Sequence, residues 1–384
     1  GASSSSAWTP IKDIRIDDLT AVSTIDNSAA VVAGNNGLLL KTTDNGANWI
    51  VTETNTRANF EHIYFKDANN GVAIINQHLW KTTNGGTTWS LMDASLSYNS
   101  LNLYENDGTT ARLMAGCNGG RVVKVFINNN GIGHEPKFVD ATPPVVTLND
   151  AYAVPNGNNL IVVAVSNTDM YVTHNFNLTN PTWSKTDIST IAPNINQLRF
   201  VKGTGNHLMG LGIDNNGALF EFEYDPNKDI VAPIDSLLKI TNPALSSFTD
   251  IQLLNNTANT FVLYNQTNNT MNHFTPTFGA SAPTPTFGSF TNSSVSLSLP
   301  APTSTRLFSV QSTTDNVLMI DLAGDINQLA ATTYTATSTT TNVRVEKMND
   351  VVVTQPANIA AVTNNGKMLS GNSNQLVLKI TPTI

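Results

Sequence analysis

Charge is scarce in this chain of 384 residues. Asp, Glu, Lys and Arg together make up 12%, about half the ~25% of an ordinary globular domain. The seven arginines stand scattered along the chain and the net charge is −8. No Lys or Arg cluster could neutralise a row of phosphates, which argues against a nucleic-acid partner. Long apolar runs are missing too. None approaches the ~20 residues that cross a bilayer as a helix, so no transmembrane segment is expected. Cysteine occurs once, at Cys117, which rules out an internal disulfide. With only Arg121 near it in sequence, Cys117 reads as a small buried side chain rather than a reactive thiol.

The signatures of common enzymes are also absent. There is no Gly-x-Ser-x-Gly elbow, no His-Glu-x-x-His and no Gly-rich phosphate loop. The six histidines, His62, His78, His134, His174, His207 and His273, lie far apart without the spacing of metal ligands. Asp214-Asn215-Asn216-Gly217 lacks the further acidic ligands of a calcium site and reads as a turn. No metal, no cofactor and no catalytic residue is assigned.

What the chain does have is 40% hydrophobic residues, enough for a core, and a surface supplied by Asn, Thr and Ser. Runs such as Asn255-Asn256-Thr257 and Thr339-Thr340-Thr341 favour turns and strand edges over helix interiors. The reading is all-β, made of many short strands.

A repeat organises those strands. Leu38-Leu39-Leu40-Lys41-Thr42-Thr43-Asp44-Asn45-Gly46-Ala47-Asn48-Trp49 returns as Leu79-Trp80-Lys81-Thr82-Thr83-Asn84-Gly85-Gly86-Thr87-Thr88-Trp89, a step of 40 residues between the tryptophans. Such a step matches one four-stranded propeller blade. Each copy carries a tight turn: a short Asp or Asn side chain accepts main-chain N–H bonds, Gly takes positive φ, and Trp packs its face against the blade. Asp44, Gly46, Trp49, Asn84, Gly86 and Trp89 are therefore read as structural. A stretched third copy runs from Thr173-His174-Asn175 to Thr182-Trp183, with three residues inserted.

Turns between second and third strands are expected near Gly37, Gln77, Gly119, Thr168, Asn216, Asn268, Asn316 and Ser373. That spacing predicts eight blades, with seven as the alternative. Residues 370–381 resemble residues 33–42, so the C-terminus would supply three strands of a last blade. The strand at residues 8–12, which contains Pro10, would join that blade from the N-terminal end and close the ring. Residues 1–6 are expected to be a flexible Ser-rich leader, and residues 7–384 a single propeller domain.

On these residues the chain resembles the Asp-box, or BNR-repeat, propellers, whose pattern is Ser/Thr-x-Asp-x-Gly-x-Thr-Trp. It is most similar to those called photosystem II stability/assembly factor-like. Phe60-Glu61-His62-Ile63-Tyr64-Phe65-Lys66-Asp67-Ala68-Asn69-Asn70-Gly71-Val72-Ala73 has that group's blade opening. The clear likeness covers about the first quarter of the chain. The resemblance implies the fold; function transfers poorly along it. The wider class includes sialidases and glycoside hydrolases, but here Arg15-Ile16 is followed by Asp17, without the Arg-Ile-Pro run of sialidases. The paired acids Asp17-Asp18 and Glu221 with Glu223 are not read as catalytic; Glu221 and Glu223 alternate on a strand and point to one face, as on solvated strands.

Two functions follow from this reading. The first is a non-enzymatic binding or scaffolding propeller at the bacterial cell envelope, exported and monomeric, with a possible lipid anchor upstream. It would recognise a protein or glycan through one face. Arg57, His78 and Tyr98 are its candidate binding residues, on loops of the face opposite the Asp boxes. The alternative is a divergent glycan-active hydrolase or lyase with its site at the central channel. Two facing acids beside an aromatic platform would favour the enzyme, and a mouth lined by polar amides would favour the binder.

Overall fold

The computed structural model describes residues 18–379 apart from 140–144, 225–235, 240–244, 255–258, 280–287, 303, 312, 341–347, 356–357, 364–367 and 373–374. Its strands fall into antiparallel sheets of four. Blade 1 holds β1 (Leu19–Thr24), β2 (Ala30–Gly34), β3 (Leu39–Thr42) and β4 (Ile50–Val51). Blade 2 holds β5 (Phe60–Phe65), β6 (Gly71–Ile75), β7 (His78–Thr82) and β8 (Ser90–Asp93). Blade 3 holds β9 (Asn102–Asn106), β10 (Ala111–Cys117), β11 (Arg121–Asn128) and β12 (Gly131–Phe138). Blade 4 holds β13 (Asp150–Asn156), β14 (Asn159–Val165), β15 (Asp169–Thr173) and β16 (Ser184–Asp187). Blade 5 holds β17 (Ile195–Lys202), β18 (Leu208–Asp214), β19 (Leu219–Tyr224) and β20 (Ser236–Lys239). Blade 6 holds β21 (Phe248–Leu253), β22 (Phe261–Asn265), β23 (Thr270–Thr277) and β24 (Ser289–Ser296). Blade 7 holds β25 (Arg306–Val310), β26 (Val317–Asp321), β27 (Ile326–Leu329) and β28 (Ala336–Thr340). A further sheet holds β29 (Met348–Gln355), β30 (Asn358–Thr363), β31 (Met368–Asn372) and β32 (Gln375–Lys379).

Within a blade the position of a strand dictates its composition. The second strands are buried along their whole length in β2, β6, β18, β22 and β26. They lie between neighbouring blades and so read as continuous apolar runs, such as Val72-Ala73-Ile74-Ile75. First strands alternate instead, as β1 and β25 do, one face on the core and the other on the central channel. Fourth strands such as β16 and β24 are largely exposed and carry Ser, Thr and Asn.

The ring has seven blades rather than the preferred eight. Seven apolar clusters fill the seven junctions. They unite Leu39 with Phe60, Ile74 with Leu113, Met114 with Ala153, Val163 with Leu198, Leu211 with Phe261, Tyr264 with Phe308, and Ile320 with Leu40. The last of these sets blade 7 directly on blade 1, which leaves no place in the ring for a sheet between them.

The sequence count misplaced two turns. Asn316 ends the loop between first and second strands of blade 7, and its second-to-third turn is at Leu322–Asp325 instead. The turn expected at Ser373 falls outside the described residues, and the third and fourth strands of its sheet pair on either side of it, Asn372 with Gln375. Asn- and Ser-rich turns mark a chain reversal at either end of a blade, so their chemistry does not say which reversal it is. The sheet of residues 348–379 thus already has four strands, and the missing strand that motivated closure by residues 8–12 is not missing. Those residues lie outside the described ones.

Side-chain bonds between neighbouring first strands, or to the loop just before one, fix the register at each junction. The Thr20 hydroxyl donates to the Phe60 carbonyl. His62 Nε2 lies 3.2 Å from the Asn99 carbonyl, and Asn102 Nδ2 donates to the Ala151 carbonyl at 2.9 Å. Leu198 N–H donates to Asp150 at 2.8 Å, and Gln197 Nε2 to the Thr249 carbonyl at 3.0 Å. Phe308 N–H donates to Asp250 at 3.0 Å, and the Thr24 hydroxyl to the Val310 carbonyl at 2.9 Å.

Candidate functional site

Antiparallel order places second-to-third turns and the loops between blades on one face, here called upper. In four blades the first strand slips register just inside this face, between Leu19 and Ala21, Phe60 and His62, Ile195 and Gln197, and Phe248 and Asp250. A bulge leaves one residue unpaired and re-aims its side chain. Three of the four extra residues, Thr20, Glu61 and Asn196, line a recess of about 460 Å³ at the upper end of the channel.

Amides dominate this upper recess. Asn149 Nδ2 donates to Asn167 Oδ1 at 2.8 Å and to the Ile195 carbonyl at 2.9 Å. One blade on, Asn196 Nδ2 donates to Asn215 Oδ1 at 2.7 Å. In both pairs the acceptor stands on an exposed second-to-third turn, so its own amide nitrogen faces the open side. Glu61 adds one carboxyl, bonded by the Gln77 N–H at 2.7 Å and pushed up by burial.

A polar knot gathers at the waist of the channel. Arg199, 6% exposed, donates to Asn102 Oδ1 at 2.7 Å and the Leu198 carbonyl at 2.6 Å, and lies 3.3 Å from Asp150. Asp150 is saturated: Asn102 and the Ala151 N–H reach Oδ1, while the Leu198 N–H and Arg199 reach Oδ2. Asp250 is anchored at both oxygens. Its Oδ1 accepts from the Ile251 N–H at 2.9 Å and its Oδ2 from the Phe308 N–H at 3.0 Å. Burial pushes the Asp250 carboxyl up to about 6, against those two bonds and the charge of Arg199. His62, beside them, is held below the ordinary imidazole value by burial.

Below the waist a second recess of about 500 Å³ opens on the lower face, with Tyr64, Tyr104 and Tyr152 on its wall. Arg199, Asn102, Gln252 and Phe308 are among the residues that line both recesses, which adjoin at this level.

The residues singled out from sequence sit elsewhere. Arg57 is exposed on the loop between β4 and β5. His78 is half-buried at the start of β7, its Nδ1 3.3 Å from the Leu96 carbonyl. Tyr98 is 2% exposed in the core between blades 2 and 3, and its hydroxyl donates to Asp93 at 2.8 Å. The Tyr98 N–H bonds the Gln77 carbonyl, which brings Tyr98 near His78 on the upper face. None of the three lines the upper recess.

The two strong turns share one bonding pattern on the lower face. Thr42 and Thr82 hydroxyls donate to Asp44 Oδ1 and Asn84 Oδ1 at 2.8 and 3.1 Å, and accept from the Gly46 and Gly86 N–H at 3.0 and 2.9 Å. Asp44 and Asn84 then take the Asn48 and Thr88 N–H, each at 2.9 Å. The stretched copy repeats the core of this, with Thr173 donating to Asn175 at 2.8 Å and Asn175 accepting the Thr182 N–H at 3.0 Å. Trp89 is 2% exposed, whereas Trp49 and Trp183 are only partly buried.

Other sequence readings need adjustment. Glu223 is not solvated: it is 4% exposed, with His207 Nε2 at 2.5 Å and the Gly288 N–H at 2.9 Å. Glu221 is half-buried and pushed up by burial. Cys117 is buried in the core between blades 2 and 3, and that burial pushes its thiol up. Asp214 accepts the Asn216 and Ala218 N–H at 2.8 and 2.9 Å, as a turn residue does. Among the described residues no group of three His, Cys, Asp or Glu is placed to hold a metal ion.

Sequence reading missed Arg199, Asp150 and the two asparagine pairs. A signal existed for the first: Gln197-Leu198-Arg199-Phe200 sets an arginine inside an apolar strand, where only a partner makes burial tolerable.

No family model matches the chain, and no curated protein matches it. Solved structures do. An ancestral GH74 enzyme matches with a TM-score of 0.59 at 13% identity, covering 96% of this chain and 55% of that one. The chain thus spans about half the length of that enzyme. Sqt1 of Saccharomyces cerevisiae matches with a TM-score of 0.51 at 14% identity, covering 95% of this chain and 96% of that one. YCF48 bound to D1 peptide gives a TM-score of 0.44 at 15% identity, with 96% of each chain covered. At these identities the first two likenesses speak for the fold alone: an all-β propeller of four-stranded antiparallel blades.

Proposed function

We propose that this chain is a non-enzymatic binding or scaffolding propeller of the bacterial cell envelope, monomeric, that recognises a protein or glycan through its upper face. Its Thr42–Trp49 and Thr82–Trp89 turns are read as Asp boxes that serve stability. The observation that carries the reading is the use of the channel acids. Asp150 is bonded by the Ala151 and Leu198 N–H groups, Asn102 and Arg199, and Asp250 by the Ile251 and Phe308 N–H groups, so both acids tie neighbouring first strands together. The mouth above them offers one carboxyl, Glu61, among many amides, and amides donate and accept and suit an uncharged hydrogen-bonding ligand such as a peptide main chain or a sugar.

The test is a parallel screen of glycan and peptide arrays with the full chain, repeated with Asn167→Ala and Asn215→Ala. Both side chains are exposed acceptors of their pairs, so the fold should survive. The reading expects a ligand whose binding falls about tenfold in at least one variant with an unchanged melting temperature. A ligand indifferent to both changes would remove the upper face from the argument. Hydrolysis of a glycan substrate that vanishes in Asp250→Ala would instead support the hydrolase reading. Cell fractionation tests the envelope assignment separately.

A further inference from the structure

The upper recess is polarised. Its free acceptors gather where blades 2 and 3 meet. The bulge in β5 turns Glu61 into the recess. There Oε2 accepts the Gln77 N–H at 2.7 Å, and Oε1, which is not enclosed, has no partner among the described residues. The Gln77 carbonyl in turn accepts the Tyr98 N–H at 2.8 Å, which brings the next residue, Asn99, to the same corner. Asn99 is exposed and spends its Nδ2 on the Leu148 carbonyl at 2.8 Å, so Oδ1 is the free end of its amide. Across the recess, on blades 4 and 5, the order is reversed. Asn167 and Asn215 have their Oδ1 atoms occupied by Asn149 and Asn196, and their exposed Nδ2 groups are the free ends.

Charge singles out the Glu61 corner. Arg199 is paired with Asp150 and bonded to Asn102, and Asp250 takes two main-chain N–H groups. Glu61 makes no ion pair among the described residues. His78 is near enough to draw the Glu61 carboxyl down, yet burial outweighs both that charge and the Gln77 bond. The imidazole itself turns Nδ1 to the Leu96 carbonyl at 3.3 Å. A carboxylate has room for about four hydrogen bonds, and a half-buried one with a single donor gains from each further donor.

We propose that the upper recess takes a peptide by a primary ammonium group, received by Glu61 Oε1 and Asn99 Oδ1, while carbonyls of the same peptide accept from Asn167 and Asn215. The inference rests on the upper face being the binding face, and it names the chemistry that face selects. An ammonium donates and never accepts, so it matches a corner of free acceptors with one unpaired negative charge. Its bond to Glu61 is charge-assisted and stronger than a bond between amides. A peptide main chain supplies a carbonyl at every residue, which matches donors repeated on consecutive blades. An amino sugar has the ammonium, but its hydroxyls bring donors to a corner whose free groups already donate. The volume, about 460 Å³, lies in the usual range for small-molecule sites, ~300–1,000 Å³. That is room for one end or one side chain of a peptide. Two sources present the group, an amino terminus and a lysine side chain.

The experiment is a saturation-transfer NMR titration of the full chain. The probes are trialanine amide, its N-acetyl form, the same acetylated peptide with a central lysine, and methyl glucosaminide. At least one amine-bearing peptide should bind about tenfold tighter than acetylated trialanine amide, as expected for one hydrogen bond to a charged group. Which of the two does so identifies the source of the ammonium. Glu61→Gln keeps an acceptor for the Gln77 N–H and removes the charge, and should bring that ratio close to one. The ratio is read within each variant, so any change in folded fraction cancels. Asn167→Ala and Asn215→Ala should weaken amine-bearing and acetylated peptides alike and leave the ratio in place. Equal affinity of amine-bearing and acetylated peptides overturns the proposal. So does a ratio unchanged in Glu61→Gln, or binding of methyl glucosaminide without any peptide. Failure of every probe overturns it too, while an array ligand lost in Asn167→Ala or Asn215→Ala would leave the upper-face reading standing.

Discussion

The hydroxyl of Thr24 donates to the carbonyl of Val310 at 2.9 Å across 286 positions of sequence, and its oxygen lies 3.0 Å from that of Ser309. This junction is the seam of the ring: the chain passes covalently between every other pair of neighbouring blades but not here. Blade 1 contributes Leu19, Val32 and Leu40 to the seam, and blade 7 contributes Leu318, Ile320 and Ile326. Replacing Thr24 by Val keeps the shape and removes the donor. It should cost about 1 kcal/mol, and hydrogen exchange should quicken in β1 and β25 before it does in β13. Uniform acceleration around the ring would show that the seam is no weaker than the other junctions.

Asp250 makes stability depend on pH in the direction opposite to Asp67 and Asp93. Burial pushes its carboxyl up to about 6, well above the ordinary aspartate range. The folded state therefore holds a proton that the unfolded state has released, and folding gains as pH falls through 6 toward 4. Each unit of displacement is worth about 1.4 kcal/mol, so ionising Asp250 at neutral pH costs the fold a few kcal/mol. Asp67 and Asp93 behave conversely: N–H and hydroxyl donors outweigh burial and hold both below the usual range, so their contribution is lost as pH falls through those depressed values. Thermal melts should rise from pH 7 to about 5 and fall again in stronger acid. A carboxyl carbon-13 titration should place Asp250 near 6, and a midpoint near 4 would remove the effect.

The architecture was legible in the sequence because each strand position has its own composition. Buried second strands such as Val72-Ala73-Ile74-Ile75 and polar fourth strands recur at blade length, and the Thr42–Trp49 turn announces its hydrogen bonds through residue types. Blade number was not legible. Asn316 has the same turn chemistry as Asn216, and only pairing shows that it closes a different reversal of the blade. The channel was illegible for a related reason. Asn102, Asp150, Arg199 and Asp250 are far apart in sequence, and nothing local says that the ring brings them together. Tyr98 stands on a loop, which suggested binding, yet its ring turns inward to the core between blades 2 and 3.

Gly37 tests how closely the blades abut on the upper face. Its φ is +76°, and a Cβ there would lie 2.0 Å from the Thr56 carbonyl oxygen on the loop leading to blade 2. Its own N–H bonds the Ala58 carbonyl at 2.9 Å. Gly37→Ala must therefore both strain the turn and push main chain away, at roughly 2 kcal/mol or more. Gly108 is the control. It has φ of +84° but nothing within 4 Å, so Gly108→Ala should cost only the conformational term of about 1 kcal/mol. Equal losses in urea unfolding would show that the contact at Thr56 yields freely.

The two tryptophans of the repeated turn should not be equal, although the sequence writes them alike. Trp89 is 2% exposed and meets Phe60 and Phe65 edge-on at 5.4 and 6.0 Å, in the core between blades 1 and 2. Trp49 holds the same place in blade 1 but is only partly buried, packed from outside against the seam cluster. The indole N–H of each is buried without a hydrogen-bond partner among the described residues, so packing rather than polar bonding holds both. Trp89→Ala opens a cavity among aromatic rings that cannot all collapse into it, and should cost ~3 to 5 kcal/mol. Trp49→Ala removes a side chain that water already reaches and should cost about half as much. Because Trp49 flanks the seam and Trp89 an interior junction, the exposed one should nonetheless have the larger effect on exchange in β25. Denaturant unfolding of both variants, with exchange read at β25 and β5, checks the two rankings separately. A Trp49 variant as damaged as the Trp89 variant would mean that the seam depends on its indole more than burial implies.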